Sequence, residues 1–358
     1  MKSIFRFAGA VICMLVLVGS VASAQDLQAQ LSKLGHDAAV GYISPILSGW
    51  GNDLNSGIYY SADLHDVLGF DVGVKLAMSR FTDEDKTYAL TLPTTMTVNP
   101  SALGYMGYPS GTTVTLSSLG SNPNYSGSVT GNSAVGAQEE VDVKTLGGFG
   151  IVKNGSTVVG SVPVPAGKII LPLPGGLDLG TMGKTGVPLP MPQLNLGLPF
   201  GIEFMLRYIP TVSSGDAGKF NYMGFGLRYS IDQWIPFCPV DLAVHFMTQK
   251  MNFKSTDDKD IFSASGTAYG VEVSKRLFIL TLYGGFQLEN STLTLNDFQG
   301  YSPELGQTVT IPGFEVKGSN KSRFTVGARL LLLIVNVHAE YSIAKNPVIA
   351  IGAGISIR

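Results

Sequence analysis

Three groups of residues in the sequence have types that could support catalysis or ligand binding. Gly183-Lys184-Thr185 ends like a phosphate-binding loop, but Asp178 occupies the position where the first glycine of that loop is needed. No Gly-x-Ser-x-Gly sequence marks a nucleophilic serine, although a catalytic triad assembled from distant residues would leave no such motif. The four histidines share no metal-ligand spacing with one another or with Cys238: His36, His65, His245 and His338. We therefore expect no enzyme, no metal and no other cofactor.

Charged side chains instead recur at alternate positions of segments that are otherwise apolar. Leu280, Leu282 and Leu288 share one face of such a segment, while Tyr283 and Glu289 share the other. The same period places these candidate lumen-lining residues on inner faces: Asp71, Lys75, Glu203, Arg207, Arg228, Asp241, His245, Glu272, Glu289, Arg323, Arg329, His338 and Glu340. Two roles are open for them, because paired charges can fill an interior and can also line a permeation path.

The length of the alternating segments predicts a membrane barrel. They run for about 10 to 14 residues, whereas strands of soluble proteins most often have about 5 to 6. After residue 24 the longest apolar run is Leu330 to Val335, far short of the ~20 residues of a membrane helix. Closed barrels are the other structure that satisfies every backbone group in lipid. The sequence predicts an all-β fold, a transmembrane antiparallel β-barrel of about 10 to 14 strands, with about 12 the best estimate.

The predicted strands divide at residue 199. Eight follow it, near 199–209, 219–230, 240–253, 262–275, 278–290, 322–333, 334–343 and 348–357. Candidate strands before it lie at 57–65, 69–79, 86–95 and 138–146. Tight turns at 275–277 and 333–335 alternate with long polar loops such as 291–320, so the tight turns are predicted to be periplasmic.

The segment before the first strand has helical spacing. Leu27, Leu31, Leu34 and Ala38 repeat at three or four residues, and Pro45 ends the pattern. An amphipathic helix is therefore predicted near residues 26–44. It could lie on the membrane surface, or it could plug the lumen.

Residues 93–198 form a long insert rich in Gly, Ser, Thr, Asn and Pro. Asn154-Gly155 predicts a type I′ hairpin, while the closely spaced prolines from Pro163 to Pro192 argue against a continuous strand. The insert is either ordered and packed within or across the barrel mouth, or a long surface loop with a little β structure. The predicted organisation is a signal peptide (1–24), an N-terminal helical plug or surface segment (25–56) and a barrel (57–358) that carries the insert.

Composition and the first residues predict where the protein resides. Only 14% of the 358 residues are charged, against about 25% in soluble proteins, and the net charge of -2 gives no footprint for nucleic acid. Lys2 and Arg6, an apolar run and Ala22-Ser23-Ala24 together read as a cleaved signal peptide. We expect a cell outer-membrane protein whose partners are outer-membrane lipid and the barrel-assembly machinery. The alternative is a soluble β protein of the periplasm.

Several turn and strand features resemble a known family. Asp53-Leu54-Asn55-Ser56-Gly57, the strand start Gly69 to Lys75, Gln233-Trp234-Ile235-Pro236 and Pro239-Val240-Asp241-Leu242 are similar to an uncharacterised family of bacterial exported proteins, a domain of unknown function. The resemblance implies an outer-membrane barrel over nearly all of the mature chain. More distantly, a helical segment ahead of a barrel is similar to the long-chain fatty-acid transporter barrels, which conduct hydrophobic compounds past an N-terminal hatch.

Two functions follow as hypotheses. The first is an outer-membrane channel or transporter for small hydrophobic molecules, with a small hydrophobic ligand as partner. The second is a non-transporting barrel that serves as a structural anchor or a surface-binding protein. The sequence does not distinguish an open lumen from a plugged one.

Overall fold

The computed structural model describes most of the chain after residue 35. The described ranges are 36–179, 185–213, 218–255, 258–302 and 307–357. The predicted signal peptide, the first part of the predicted helix and Gly183-Lys184 lie outside these residues.

Within the described ranges, the regular structure consists of one α-helix, 21 strands and a few single-turn 3-10 helices. Helix α1 is His36–Leu54. The strands are β1 (Phe70–Arg80), β2 (Thr87–Thr91), β3 (Thr95–Val98), β4 (Thr112–Ser117), β5 (Ser128–Asn132), β6 (Val141–Lys144), β7 (Phe149–Asn154), β8 (Thr157–Pro163), β9 (Ile169–Leu173), β10 (Gly186–Leu198), β11 (Ile202–Ser213), β12 (Lys219–Ser230), β13 (Asp241–Lys254), β14 (Asp260–Leu277), β15 (Leu280–Leu295), β16 (Phe298–Ser302), β17 (Gln307–Ile311), β18 (Phe314–Lys317), β19 (Ser322–Leu332), β20 (Val335–Ile343) and β21 (Val348–Ile357).

The chain divides into two compact units. Among the described residues, the first unit contains 44–82 and the part of the chain from 179 onward, and the second contains 36–43 and 83–178. Ten strands of the first unit close into an antiparallel barrel in the order β14-β13-β12-β11-β10-β1-β21-β20-β19-β15, and β14 also pairs with β15. The short β18 extends one end of β15. The predicted fold, a transmembrane antiparallel β-barrel, is confirmed with ten strands.

An apolar belt covers the outside of this barrel. Phe246, Val271, Leu282, Val337 and Ile351 are each about half exposed, although they are large and apolar. Many of the strand residues between them are polar and buried, such as His245, Glu272 and His338, which is the reverse of a water-soluble barrel. The exposure of these apolar side chains to water is unfavourable, and lipid hydrocarbon around the barrel would remove it. No helix among the described residues is long and apolar enough to cross a membrane.

The outer belt gives a first prediction. Leu282→Arg should place a charge in the hydrocarbon and destabilise the inserted barrel by about 2–4 kcal/mol. The matched control is Ser265→Arg, because Ser265 is exposed on the same outer surface but pairs with Lys250, where a charge is already present. The yield of heat-modifiable folded protein measures the effect. Equal yields from the two variants would contradict the lipid-facing assignment.

Strand β10 contradicts the expectation that closely spaced prolines exclude a ladder. Pro188, Pro190 and Pro192 lie at alternate positions, and the strand pairs with β1 from Gly186 to Leu196. Alternate residues of an antiparallel strand direct their N–H groups toward the same neighbour. Pairing with β11 begins only at Gln193, so the three missing donors fall where no ladder is formed. The prediction that proline spacing forbids a strand here is wrong.

The other predicted strands before residue 199 have different outcomes. Residues 69–79 correspond to β1. The segments 86–95 and 138–146 contain the short strands β2 and β6 of the second unit. Residues 57–65 are not a strand but an irregular buried segment. The estimate of about 12 strands counted these segments in the barrel and omitted β10.

The two ends of the barrel differ in their connections. Phe278-Ile279 and Leu333-Ile334 form two-residue turns after β14 and β19, and this end is called the turn end below. The first of these turns lies just after the predicted 275–277. At the opposite end, called the loop end, β1 leads into the second unit, and β15 leads to β19 through residues 296–321. Tight turns at one end and long connections at the other were predicted.

The second unit, made from the insert, has its own small sheets. The strands β3-β4-β7-β8 form one sheet, and β2 with β5 and β6 with β9 form two others. Val114, Leu116, Val152 and Val162 are buried between them. The hairpin predicted near Asn154 is present, with Gly155-Ser156 as its two-residue turn. The insert is therefore ordered and carries its own core.

Helix α1 continues beyond Pro45, which was predicted to end it. Ile46, Leu47 and Leu54 are buried after the proline. Burial of this apolar face offsets the cost of the missing backbone donor, because packing commonly outweighs local propensity.

Candidate functional site

The lumen of the barrel is filled by the chain that precedes β1. Residues 44–66, called the plug below, comprise the last turns of α1 and an irregular stretch. Every plug residue from Gly51 to Ala62 is buried. A cluster of buried side chains joins plug and wall: Ile58, Tyr59, Tyr60, Met205, Met247, Ala268 and Tyr283. The plug is thus packed as a core.

Asn52 holds the plug at the loop end. Its side-chain nitrogen donates to Ser319 Oγ at 2.9 Å, and its side-chain oxygen accepts from the Asn320 backbone N–H at 3.1 Å. Its backbone carbonyl accepts from Arg323 Nη2 at 2.7 Å. Arg323 is in turn paired with Glu289 at 2.7 Å. This side of the plug is bound to the wall through both side chain and backbone.

Arg207 binds the middle of the plug. Its guanidinium is fully buried and donates to the carbonyls of Leu54 at 2.8 Å, Ser56 at 2.7 Å and Gly57 at 2.9 Å. It also donates to Gln249 Oε1 at 3.0 Å. One wall residue therefore donates to three backbone carbonyls at and beyond the end of α1, where no further helical N–H groups are available to them.

The turn at Gly57 is held from two further directions. Gly57 has a left-handed φ of 61°, which favours glycine. Its N–H donates to Glu340 Oε1 at 3.0 Å, while Lys75 Nζ donates to its carbonyl and to that of Ile58. Gln193 Nε2 also donates to Ile58 O at 2.9 Å. The path of the plug is specified by oppositely charged wall residues.

A buried charge cluster lies toward the turn end. Arg228 pairs with Glu203 at 2.6 Å and with Glu272 at 2.5 Å, and His245 Nδ1 lies 3.1 Å from Glu272. Arg228 also donates to the carbonyl of Ser61 in the plug. All four wall side chains are at most 3% exposed, so the charges compensate one another where water cannot.

His65 ends the plug beside this cluster. Its Nδ1 lies 2.7 Å from Glu203 Oε2, and its Nε2 lies 3.1 Å from Ser356 Oγ. Its backbone N–H also donates to Glu203 at 3.1 Å. Three residues far apart in the sequence thus meet as hydroxyl, imidazole and carboxylate.

Tyr60 of the plug lies among cationic and imidazole side chains. The guanidinium carbon of Arg329 is 4.5 Å from its ring centre and Lys75 Nζ is 5.2 Å away. The His338 ring lies at 4.9 Å. Such ring faces attract cations, and the gap beside Tyr60 is too small to hold a water molecule.

The structure places the predicted lumen residues in this packed interior. All but one are buried, and the list is Asp71, Lys75, Glu203, Arg207, Arg228, His245, Glu272, Glu289, Arg323, Arg329, His338 and Glu340. Asp241 is partly exposed and accepts from Ser274 Oγ at 2.9 Å. Their partners include one another, the plug and uncharged wall side chains such as Asn336 and Gln249.

Sequence reasoning missed the uncharged members of this network. Gln249 shares the inward phase with charged residues that were predicted, so the period alone could have found it. Gln193 fell in the proline-rich segment. Asn52 and Ser356 carried no signal, because their partners are distant in the sequence. Among the described residues, no group of three or more His, Cys, Asp or Glu side chains could hold a metal ion.

The second unit has an apolar cleft of its own. Its volume is about 310 Å³. Leu90, Leu92 and Leu173 are buried in its wall, and Met96 and Leu171 are partly exposed. A cleft of this size is at the lower end of the range for small-molecule sites.

Comparisons with known proteins come from sequence and from structure. A protein-family model described as a family of unknown function, DUF6588, matches residues 1–357. The predicted resemblance to a family of unknown function is thereby confirmed. Comparison with curated protein sequences gave no match.

Solved structures with some likeness are outer-membrane proteins. Ail, the attachment invasion locus protein of Yersinia pestis, is 12% identical, with 44% of this chain and 93% of that chain covered at a TM-score of 0.22. OmpT of Vibrio cholerae is 10% identical, with 80% and 98% covered at 0.23. The outer membrane protease OmpT of Escherichia coli is 9% identical, with 85% and 99% covered at 0.26. At these TM-scores the likenesses carry no argument about what the chain does.

Proposed function

We propose that this chain, which belongs to the DUF6588 family of unknown function, is a closed outer-membrane barrel that anchors and displays the unit inserted between β1 and β10. The observation that carries the proposal is the plug, whose residues from Gly51 to Ala62 are all buried inside the barrel. A channel needs a continuous open path, and here the wall cations are hydrogen-bonded to carbonyls of a plug that fills the lumen. Of the two functions predicted from the sequence, the anchor is favoured.

The topology supports display on the outer side. The inserted unit leaves the barrel after Arg80 and returns at Gly186, both at the loop end. Outer-membrane barrels keep their short turns in the periplasm and their long connections outside. Export would use the predicted signal peptide, residues 1–24, with outer-membrane lipid and the barrel-assembly machinery as partners.

A second candidate function is the channel for small hydrophobic molecules. The apolar cleft beside Leu90, Leu92 and Leu173 supports a small hydrophobic ligand. Conduction would then require the plug to leave the lumen, at least in part. Uptake of a fluorescent fatty acid into vesicles that contain the protein tests this candidate against empty vesicles.

Ion conductance tests the closed barrel. Folded protein in planar lipid bilayers is expected to show no steady ionic conductance at low voltage, because the plug leaves no path for water. Only preparations of this protein whose heat-modifiable migration shows a folded barrel are used. A stable open level in the unmodified protein would contradict the closed barrel and favour the channel.

A further inference from the structure

We propose that Ser356, His65 and Glu203 form a serine-hydrolase triad at the turn end of the barrel, acting on acyl esters. The hydroxyl, imidazole and carboxylate are linked in the order that such a triad requires, at 3.1 Å and 2.7 Å. This activity goes beyond anchoring and does not depend on it. The sequence expectation of a non-enzyme rested on motifs, and residues 138 and 291 positions apart leave none.

The hydrogen bonds assign a role to each residue. We assign a proton to His65 Nδ1, because the carboxylate oxygen it faces, Glu203 Oε2, can only accept. Nε2 then faces Ser356 Oγ, the position of a general base relative to its nucleophile. Arg228, at 2.6 Å from the other oxygen of Glu203, orients the carboxylate.

Ser356 lies close to the rim of the barrel and to lipid. It is the penultimate residue of β21, so about 7 Å of strand or less separates it from the turn end. Its neighbours Ile355 and Ile357 face outward and are 45% and 43% exposed. An ester at the membrane surface would have its acyl chain beside these residues, which is the reason for naming acyl esters as the substrate class.

A short apolar lid adjoins the triad. The turn Asp66 to Gly69 directly follows His65 and is closed by the hydrogen bond from Gly69 N–H to Asp66 O at 2.8 Å. Val67 and Leu68 are 58% and 75% exposed, and Leu68 adopts a left-handed φ of 67°. A non-glycine residue in that region costs about 1–3 kcal/mol and is found preferentially at functional sites. Movement of these residues would open Ser356 to the membrane surface.

Filling the lumen does not require this arrangement. Thr325 and Ser342 also bury two hydroxyls on the inner face, and they satisfy each other at 2.9 Å with no histidine. The end of the plug is already held by the His65 N–H bond to Glu203 and by Arg228 at Ser61 O. The imidazole bridge to Ser356 is additional to what holds the plug.

The proposed reaction is ester hydrolysis through an acyl-serine, with water as the only co-reactant. Ser356 Oγ bonds to the ester carbonyl carbon while its proton passes to His65 Nε2. The bond from that carbon to the alcohol oxygen then breaks, and the alcohol leaves with the proton. Water repeats the sequence on the acyl-serine and releases the carboxylic acid, which restores Ser356.

Covalent labelling is the test, because it does not depend on fast turnover. The side-chain amides of Asn195 and Asn336 donate to Asp71, the β1 residue paired with Ser356, at 3.2 Å and 2.6 Å; because these donors are already engaged, slow ester hydrolysis is expected. Folded barrel is treated with a fluorophosphonate probe, and mass spectrometry locates the adduct. We expect an adduct on Ser356, at least tenfold less labelling in His65→Ala, and none in Ser356→Ala. The matched control Ser342→Ala should be labelled like the unmodified protein.

Each other outcome overturns the proposal. Folded, heat-modifiable protein that gives no adduct would show that Ser356 is not activated. An adduct mapped to another residue, or equal labelling of Ser356→Ala, would assign the reactivity elsewhere. If Ser356→Ala does not fold, the adduct position on the unmodified protein still decides the question.

Discussion

Replacing Arg228 by methionine is expected to lower the free energy of unfolding of the barrel by about 3–5 kcal/mol, because it takes the guanidinium cation away from two buried carboxylates. Arg228 compensates Glu203 and Glu272 at 2.6 Å and 2.5 Å, and both carboxylates are 0% exposed. It also satisfies the carbonyl of Ser61. The measurement is the urea concentration at which half of the protein loses heat-modifiable migration in detergent.

A compensated variant controls for the loss of side-chain volume. Arg228→Met combined with Glu203→Gln and Glu272→Gln removes the unpaired charges and should recover at least half of the lost free energy. If the single variant unfolds at the same urea concentration as the unmodified protein, the cluster does not contribute as described. If the triple variant is no more stable than the single one, packing and not charge causes the effect.

Arg207→Ala is expected to release the plug and open the lumen. Ser56 O loses its described donor, while Leu54 O keeps Gln249 Nε2 and Gly57 O keeps Lys75 Nζ. A buried acceptor left without a partner costs about 1–3 kcal/mol, and the seated plug is expected to be destabilised by that amount. The fraction of barrels with a displaced plug should then rise roughly 5- to 150-fold, since 1.4 kcal/mol is a factor of about ten.

Conductance and proteolysis measure this release. Planar bilayers should show open events in Arg207→Ala that are absent from the unmodified protein, and protease should cut within residues 44–66. The control is Arg276→Ala, because Arg276 is exposed at the turn end and donates only to Phe278 O among the described contacts at 3.1 Å. Unchanged conductance in folded Arg207→Ala would mean that other contacts hold the plug unaided.

The alternation of residue types along the chain was enough to predict the barrel. A lipid-facing strand must alternate apolar and polar residues at a period of two, and this requirement is local. It identified the outer belt, the eight strands after residue 199 and the inward phase of Glu203, Arg207 and Glu340. The alternation did not identify β10, because a strand tolerates proline only where the missing N–H would have had no neighbouring strand to bond. That neighbour is known only from the tertiary structure.

The sequence by itself determined a membrane barrel with charges on its inner face, because strand period and lipid contact act on neighbouring residues. Only the tertiary structure decided what those charges do. Arg207 meets Gly57 across 150 residues and His65 meets Ser356 across 291, and no local pattern encodes such pairs. Whether inward charges line a path or bind a plug depends on what occupies the lumen. In this protein residues 44–66 occupy it, because their backbone carbonyls satisfy the buried cations of the wall.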